Sequence, residues 1–116
     1  MTYEPTGFSI STSDRGGRAV VLVRGELDLA TAPELEQVVT EHLDAGEEVV
    51  VDLRELEFMD STGLRVIVSA DGRAREEDRS LRLVRGPEAV QRIFRVTRLD
   101  ERLEIGDDPE ALTQTS

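Results

Sequence analysis

Apolar positions recur with a two-residue period at the start of the chain. Phe8 and Ile10 alternate with serines, and after the turn residues DRGGR an unbroken apolar run extends from Ala19 to Val23. Alternation and short β-branched runs are typical of strands, so this pattern predicts a β-hairpin. The run EVVVDL over 48–53 resembles a strand that is buried on both faces of a parallel sheet.

The next segment has helical spacing. In TAPELEQVVTEHLDAG, residues 31–46, apolar residues recur three and four apart, which predicts an amphipathic helix. Thr31 and Glu34 form a capping-box pattern at its start, and Gly46 is expected to end it. The predicted inward face is Leu35, Val38, Val39 and Leu43.

Two further helices and two short strands are predicted downstream. One helix begins at Ser61 and ends near Asp78, and another covers 86–99 with a proline in its opening turn. Their predicted inward faces are Leu64, Ile67 and Val68, and Val90, Ile93 and Phe94. The strands are LRLVR at 81–85 and LEI at 103–105.

This order predicts one α/β domain. Strands that alternate with helices after a hairpin favour a mixed, partly parallel sheet; we expect four to five strands packed with about four helices. The domain is expected to span residues 1–106, and residues 107–116 are expected to form a polar C-terminal tail. A length of 116 residues suits one hydrophobic core.

Composition narrows the function. The formal net charge of −11 repels phosphate backbones and anionic lipid surfaces, so we expect no direct nucleic-acid or membrane partner. The chain has no cysteine, which excludes disulfides, thiolate metal sites and a thiol nucleophile. No secretory signal or membrane-length apolar stretch is visible, so a cytoplasmic protein is expected.

The segment EFMDSTGLRVIV, residues 57–68, concentrates polar side chains at the start of the second predicted helix. Asp60, Ser61 and Thr62 could cap that helix, but one cap would suffice. Gly63 lowers helix propensity unless something must approach the backbone closely. Because sites in α/β sheets lie beyond the carboxyl ends of strands, this segment is a candidate site as well as a cap.

A second candidate lies at the exit of the strand around Val23. Asp28, in GELDLATAPEL at 25–35, precedes the first helix, and it is either part of a site or an ordinary loop residue. His42 has no cysteine or second histidine to complete a ligand set. We therefore expect no metal site and a boundary position for His42.

Catalysis by this chain is not expected. The G-x-S-x-G pattern of serine hydrolases is absent, as are the phosphate-binding P-loop and any lysine to serve it. A small hydrolase or phosphotransferase that uses Asp60 or Ser61 covalently is the enzymatic alternative, and it would need a base near Ser61.

The segments GELDLATAPEL, VVVDLRELEFMDSTGLRVIV and LRLVRGPEAVQRIFRVTRL together resemble the STAS-domain anti-sigma factor antagonists. The resemblance runs from about Gly7 to Ile105, and FMDSTGL is its most specific part. It implies a STAS-type fold. It further implies a non-enzymatic protein that captures an anti-sigma factor serine kinase and so releases a sigma factor.

The resemblance also assigns residues and partners. Ser61 matches the phosphoacceptor, and its phosphorylation would end the capture. The partner-binding residues would be Asp28, Asp60, Ser61, Thr62, Gly63, Leu64 and Arg65. The chain itself would need no cofactor, because the partner kinase binds ATP and Mg²⁺, and a metal-dependent serine/threonine phosphatase would restore the unmodified form.

A phosphate on Ser61 would add a charge of about −1.5 to −2 at neutral pH. We expect the N–H groups at the start of the helix to accommodate it with little refolding. At the position after Gly63-Leu64, where the family commonly has a second glycine, this chain has Arg65. It lies four residues beyond Ser61, so it either shields the phosphate or points to solvent near Glu57 or Asp60. Within the same fold, the alternative function is a STAS subunit with a structural role in a larger signalling or transport assembly, in which Ser61 is never modified.

Overall fold

A computed structural model describes residues 7–107 of the chain. It begins with a hairpin in which strand β1 (Ser9–Asp14) pairs antiparallel with strand β2 (Arg18–Leu27). The turn between them has glycines at 16 and 17 with positive φ, a conformation that favours glycine. The predicted hairpin is therefore confirmed.

The remaining elements alternate as predicted. Helix α1 (Ala32–Asp44) leads to strand β3 (Glu48–Met59), and helix α2 (Ser61–Glu76) leads to strand β4 (Leu81–Val84). Helix α3 (Glu88–Val96), a 3-10 helix (Leu99–Glu101) and strand β5 (Glu104–Gly106) follow. The sheet order is β1-β2-β3-β4-β5, and all neighbours except β1 and β2 are parallel.

The main core lies between one face of the sheet and the three α-helices. Alternate residues of β2 and β3, such as Val21 and Val51, pack there against Leu35 of α1, Ile67 of α2 and Phe94 of α3. The opposite face carries a separate small cluster of Val20, Val50 and Val84. Strand β3 is thus buried on both faces between Val49 and Leu53, as the apolar run predicted.

Strand β3 is six residues longer than predicted. Its pairing with β2 shifts register twice: between Leu22 and Arg24, where β3 advances from Asp52 to Glu55, and again beyond Gly25. Each shift gives β3 one extra residue, which is the arrangement of a β-bulge. Because of these two bulges, buried residues recur about every three positions in this part of β3 instead of every two. The charged segment after Leu53 therefore lacks the alternation that predicts a strand.

The predicted capping box is wrong. Thr31 is the N-cap residue of α1, but its side chain makes no capping hydrogen bond. Its hydroxyl instead donates to the carbonyl oxygen of Glu26 at 2.8 Å and accepts from the N–H of Asp28 at 2.9 Å. Thr31 is buried, and it stabilises the loop before the helix rather than the helix itself.

Smaller corrections concern the helices and the tail. The described residues contain three α-helices where about four helices were expected, and the fourth helical segment is only a single 3-10 turn. Helix α2 ends at Glu76, two residues early, and α3 covers Glu88–Val96 rather than 86–99. In α3, Gln91 is buried and Ile93 is half-buried. Apart from Asp107, the predicted tail lies outside the described residues.

Candidate functional site

The candidate site lies where β2 and β3 end side by side. Leu27, the last residue of β2, pairs in parallel register with Met59, the last residue of β3. The backbone N–H of Asp60 donates to the carbonyl oxygen of Leu27 at 3.1 Å. Asp28 and Asp60 therefore follow equivalent positions of neighbouring strands, and the two predicted segments meet at one edge of the sheet.

Asp60 is the N-cap of α2. Its Oδ1 accepts hydrogen bonds from the N–H groups of Thr62 at 2.8 Å and Gly63 at 3.1 Å, and its carbonyl oxygen accepts from Leu64. One carboxylate thus satisfies two of the first-turn N–H groups that a helix leaves unpaired. The capping interpretation is correct for Asp60, and it leaves Ser61 without a capping role.

This geometry limits the N–H groups that a phosphate on Ser61 could use. The N–H groups of Thr62, Gly63 and Leu64 already bond to Asp60. They cannot also receive a phosphate unless the cap opens. These three N–H groups of α2 are therefore not free to bind an anion.

The other predicted residues of α2 divide by exposure. Ser61 and Arg65 are exposed, and Thr62 and Leu64 are half-buried. Thr62 and Arg65 line a groove between α2 and the start of α1, opposite Pro33. The hydroxyl of Ser61 is the one most open to another protein.

Gly63 has a structural explanation. It is buried, and a Cβ atom built there would lie 2.7 Å from Cγ of Leu27 and 3.0 Å from Cγ of Met59. The close approach that the sequence indicated comes from these core side chains. Gly63 therefore positions the site by letting α2 pack tightly on the strand ends, and a partner would not contact a buried residue directly.

Asp28 organises the loop between β2 and α1. Its Oδ1 accepts from the N–H groups of Ala30 at 3.0 Å and Thr31 at 3.2 Å. Asp28 is half-buried, and none of these bonds uses Oδ2. The residue thus combines a loop-stabilising role with a carboxylate at the edge shared with Asp60.

The edge also carries exposed apolar side chains that sequence reasoning missed. Leu29 is 75% exposed and directly follows Asp28, and Phe58 is 48% exposed and lies two positions before Asp60. Phe58 is exposed because the second register shift in β3 moves it off the buried face. Leu29, an apolar residue in a polar turn, could have been singled out from the sequence.

Comparisons with family models, known proteins and solved structures find matches that span most of the chain. The family model described as "Mlab, STAS domain" matches residues 10–106. The anti-sigma-B factor antagonist of Staphylococcus aureus strain NCTC 8325 is 31% identical over 104 residues, covering 89% of this chain and 96% of the relative. The crystal structure of an anti-sigma factor antagonist from Mycobacterium paratuberculosis aligns with a TM-score of 0.80 at 26% identity, covering 95% of this chain and 94% of that one.

The chain belongs to the STAS-domain anti-sigma factor antagonist family. A structure of the Bacillus cell fate determinant SpoIIAA in its phosphorylated form shares the fold, with a TM-score of 0.69 at 18% identity, and covers 90% of this chain and 96% of that chain. The predicted STAS-type α/β fold is confirmed.

The antagonists of this family are regulatory binding proteins, which confirms that this STAS domain is not an enzyme. His42 lies in the last turn of α1, where it is partly buried and its Nδ1 pairs with Glu47 at 3.2 Å, as expected for a boundary residue. No group of potential metal ligands forms within residues 7–107, and none of the helices in this range is long and apolar enough to cross a bilayer.

Proposed function

We propose that this STAS domain is an anti-sigma factor antagonist that is switched by phosphorylation of Ser61. The unmodified form binds an anti-sigma factor serine kinase and releases a sigma factor, and the phosphorylated form does not bind. ATP and Mg²⁺ are held by the kinase, a metal-dependent serine/threonine phosphatase reverses the modification, and the exchange takes place in the cytoplasm. Asp28, Asp60 and the first turn of α2 form the docking edge.

The exposure of Ser61 carries this proposal. Asp60 caps the helix, so the serine hydroxyl has no capping bond to lose on modification. Two exposed apolar residues lie near it in the two segments that meet at this edge: Phe58, three residues before Ser61, and Leu29, directly after Asp28. Apolar anchors inside a polar rim are what protein interfaces use. The names of the Staphylococcus relatives, which are antagonists of an anti-sigma factor, supply the class of partner.

The same edge explains how a phosphate would end binding. Asp28, Asp60 and the exposed Glu57 already make it acidic, so a partner surface that fits it is expected to be basic or neutral. A phosphate adds about −1.5 to −2 charge and tetrahedral bulk at the centre of the contact. Desolvating that group against a packed partner costs several kcal/mol, while the exposed serine tolerates it in the free protein.

The deciding experiment measures intact mass after the purified protein is mixed with a candidate anti-sigma factor kinase, ATP and Mg²⁺. We expect one added phosphate that requires the kinase and that disappears in Ser61→Ala. Ser69→Ala is the matched control, because Ser69 is exposed on the same helix, and this variant should be modified like the native protein. Modification by ATP alone would instead support the covalent enzymatic alternative.

A second function is a structural STAS subunit of a larger signalling or transport assembly. The observation in its favour is that the matching family model is described by the name Mlab rather than as an antagonist. In that case the kinase assay adds no phosphate, and the exposed edge around Phe58 and Leu29 contacts a permanent partner subunit.

A further inference from the structure

A phosphate on Ser61 would meet occupied hydrogen-bond donors on its own helix. The carboxylate of Asp60 accepts hydrogen bonds from the N–H groups of Thr62 at 2.8 Å and Gly63 at 3.1 Å. The backbone carbonyl oxygen of Asp60 accepts a hydrogen bond from the N–H of Leu64. The phosphate would also be adjacent to that carboxylate, which has like charge. These N–H groups are therefore not free to bind the phosphate, and within the protein a cationic side chain is the group that can offset its charge.

Two of the arginines closest in sequence to this edge are already engaged. Nε of Arg24 pairs with Glu55 at 3.0 Å. Arg54 binds the buried carboxylate of Asp52 through its Nη2 at 2.9 Å, on the opposite face of the sheet from the main core. Removing Arg54 from that pair would leave a buried charge without a partner, which is costly.

Arg65 differs from both. It is exposed, and its side chain forms no ion pair or hydrogen bond with any residue from 7 to 107. It lies four residues after Ser61 on the same helix, a spacing that places Cβ atoms about 5–6 Å apart. An anion that precedes a cation by four residues is also the favourable order along a helix.

We propose that Arg65 binds the phosphate of phosphoserine 61 as its intramolecular counter-charge, on the basis of the proposed phosphorylation of Ser61. The guanidinium fork matches two phosphate oxygens. The pairing turns the phosphate along α2, away from the carboxylate of Asp60. It also withdraws Arg65 from the groove that it shares with Thr62 and with the carboxylate-bearing Glu36 of α1 in the unmodified protein. Phosphorylation would then change two groups of the docking edge at once.

The test installs phosphoserine at position 61 during translation, so it needs no kinase. The phosphorus NMR signal is followed through the second ionisation of the phosphate, whose ordinary pKa is about 6. A nearby guanidinium favours the dianion, so we expect Arg65→Gln to raise this pKa by about half a unit. The Nε–H resonance of Arg65 should also shift between the unmodified and phosphorylated native proteins.

Arg92→Gln is the matched control. Arg92 is exposed on α3, and its loss changes the net charge by the same amount without touching the first turn of α2. This variant should keep the native titration curve. Equal phosphate pKa values in the native and Arg65→Gln proteins, with an unmoved Arg65 resonance, would overturn the assignment.

The two proposals fail separately. An unmodified Ser61 in the intact-mass kinase assay would remove the proposed switch but leave the titration of the installed phosphoserine readable. Equal phosphate pKa values in the native and Arg65→Gln proteins would exclude the role of Arg65 but would not affect the proposed switch.

Discussion

The backbone N–H of Asp60 donates a 3.1 Å hydrogen bond to the carbonyl oxygen of Leu27. This bond continues the ladder between β2 and β3 one step beyond the paired ends of the two strands. It brings the loop that carries Asp28 and the first turn of α2 to the same edge. Two segments 32 residues apart, counted from Asp28 to Asp60, thus form one surface.

Asp28 is expected to contribute to stability and to binding, and two substitutions separate these contributions. Asp28→Asn keeps an Oδ1 acceptor for the N–H groups of Ala30 and Thr31 but removes the charge. It should unfold near the native urea midpoint and bind the anti-sigma factor more weakly. Asp28→Ala should also lose about 1 kcal/mol of unfolding free energy. Equal stability of the two variants would mean that the loop does not depend on these bonds.

Asp60→Ala should destabilise the protein by about 1 kcal/mol, because it removes the acceptor for two N–H groups at the start of α2. Asp60→Ser keeps an N-cap acceptor and should retain most of the stability. Ser61→Ala serves as the control beside them, and its unfolding midpoint should match the native value. A large loss in Ser61→Ala would show that the serine, and not Asp60, carries the cap.

Alanine should have opposite effects at two glycines of α2. At Gly63 the new Cβ would lie 2.7 Å from Cγ of Leu27, and such overpacking costs about 1–3 kcal/mol. At Gly72 nothing lies within 4 Å of the new Cβ, so Gly72→Ala should stabilise the protein by about 0.5–1 kcal/mol through helix propensity. Thermal unfolding of both variants measures the contrast, and stabilisation by Gly63→Ala would contradict the packing at the strand ends.

The exposed apolar residues at the edge should matter more for binding than for folding. Leu29→Ser and Phe58→Ser remove side chains that are 75% and 48% exposed. The melting temperature of Leu29→Ser should stay close to native, and that of Phe58→Ser should fall by a few degrees, because about half of that ring is buried. The affinity of both variants for the anti-sigma factor should fall about tenfold or more. Val96→Ser is the control, because Val96 is 74% exposed at the far end of α3. A similar loss of affinity in Val96→Ser would place the interface elsewhere.

Charge at position 61 should control capture. Ser61→Ala should bind the anti-sigma factor kinase and remain bound with ATP present. Ser61→Asp and Ser61→Glu should bind at least about tenfold more weakly, because an acidic side chain joins Asp28 and Asp60 at the interface. Titration calorimetry on the folded variants measures this difference. Native affinity in both acidic variants would show that charge is not the switch.

The fold could be predicted from the sequence because its signals are local. The apolar run around Val51 and the three-and-four spacing of α1 each depend on neighbours in the chain, and both were confirmed. The missing half of β3 had no such signal. Its bulges are defined only by pairing with β2, so the alternation that would identify a strand is lost after Leu53.

The candidate site could also be predicted only in part from the sequence. The sequence by itself determined that Asp, Ser, Thr and Gly would stand together after a buried strand, at 60–63, and that Ser61 would open a helix. Only the tertiary structure decided which of them does what. Asp60 accepts hydrogen bonds from the first N–H groups of α2. Gly63 leaves room for the side chains of Leu27 and Met59. Ser61 and Arg65 are exposed to solvent. The reason is physical: capping, burial and exposure depend on which strand ends lie beneath the helix, and that contact joins residues distant in the chain.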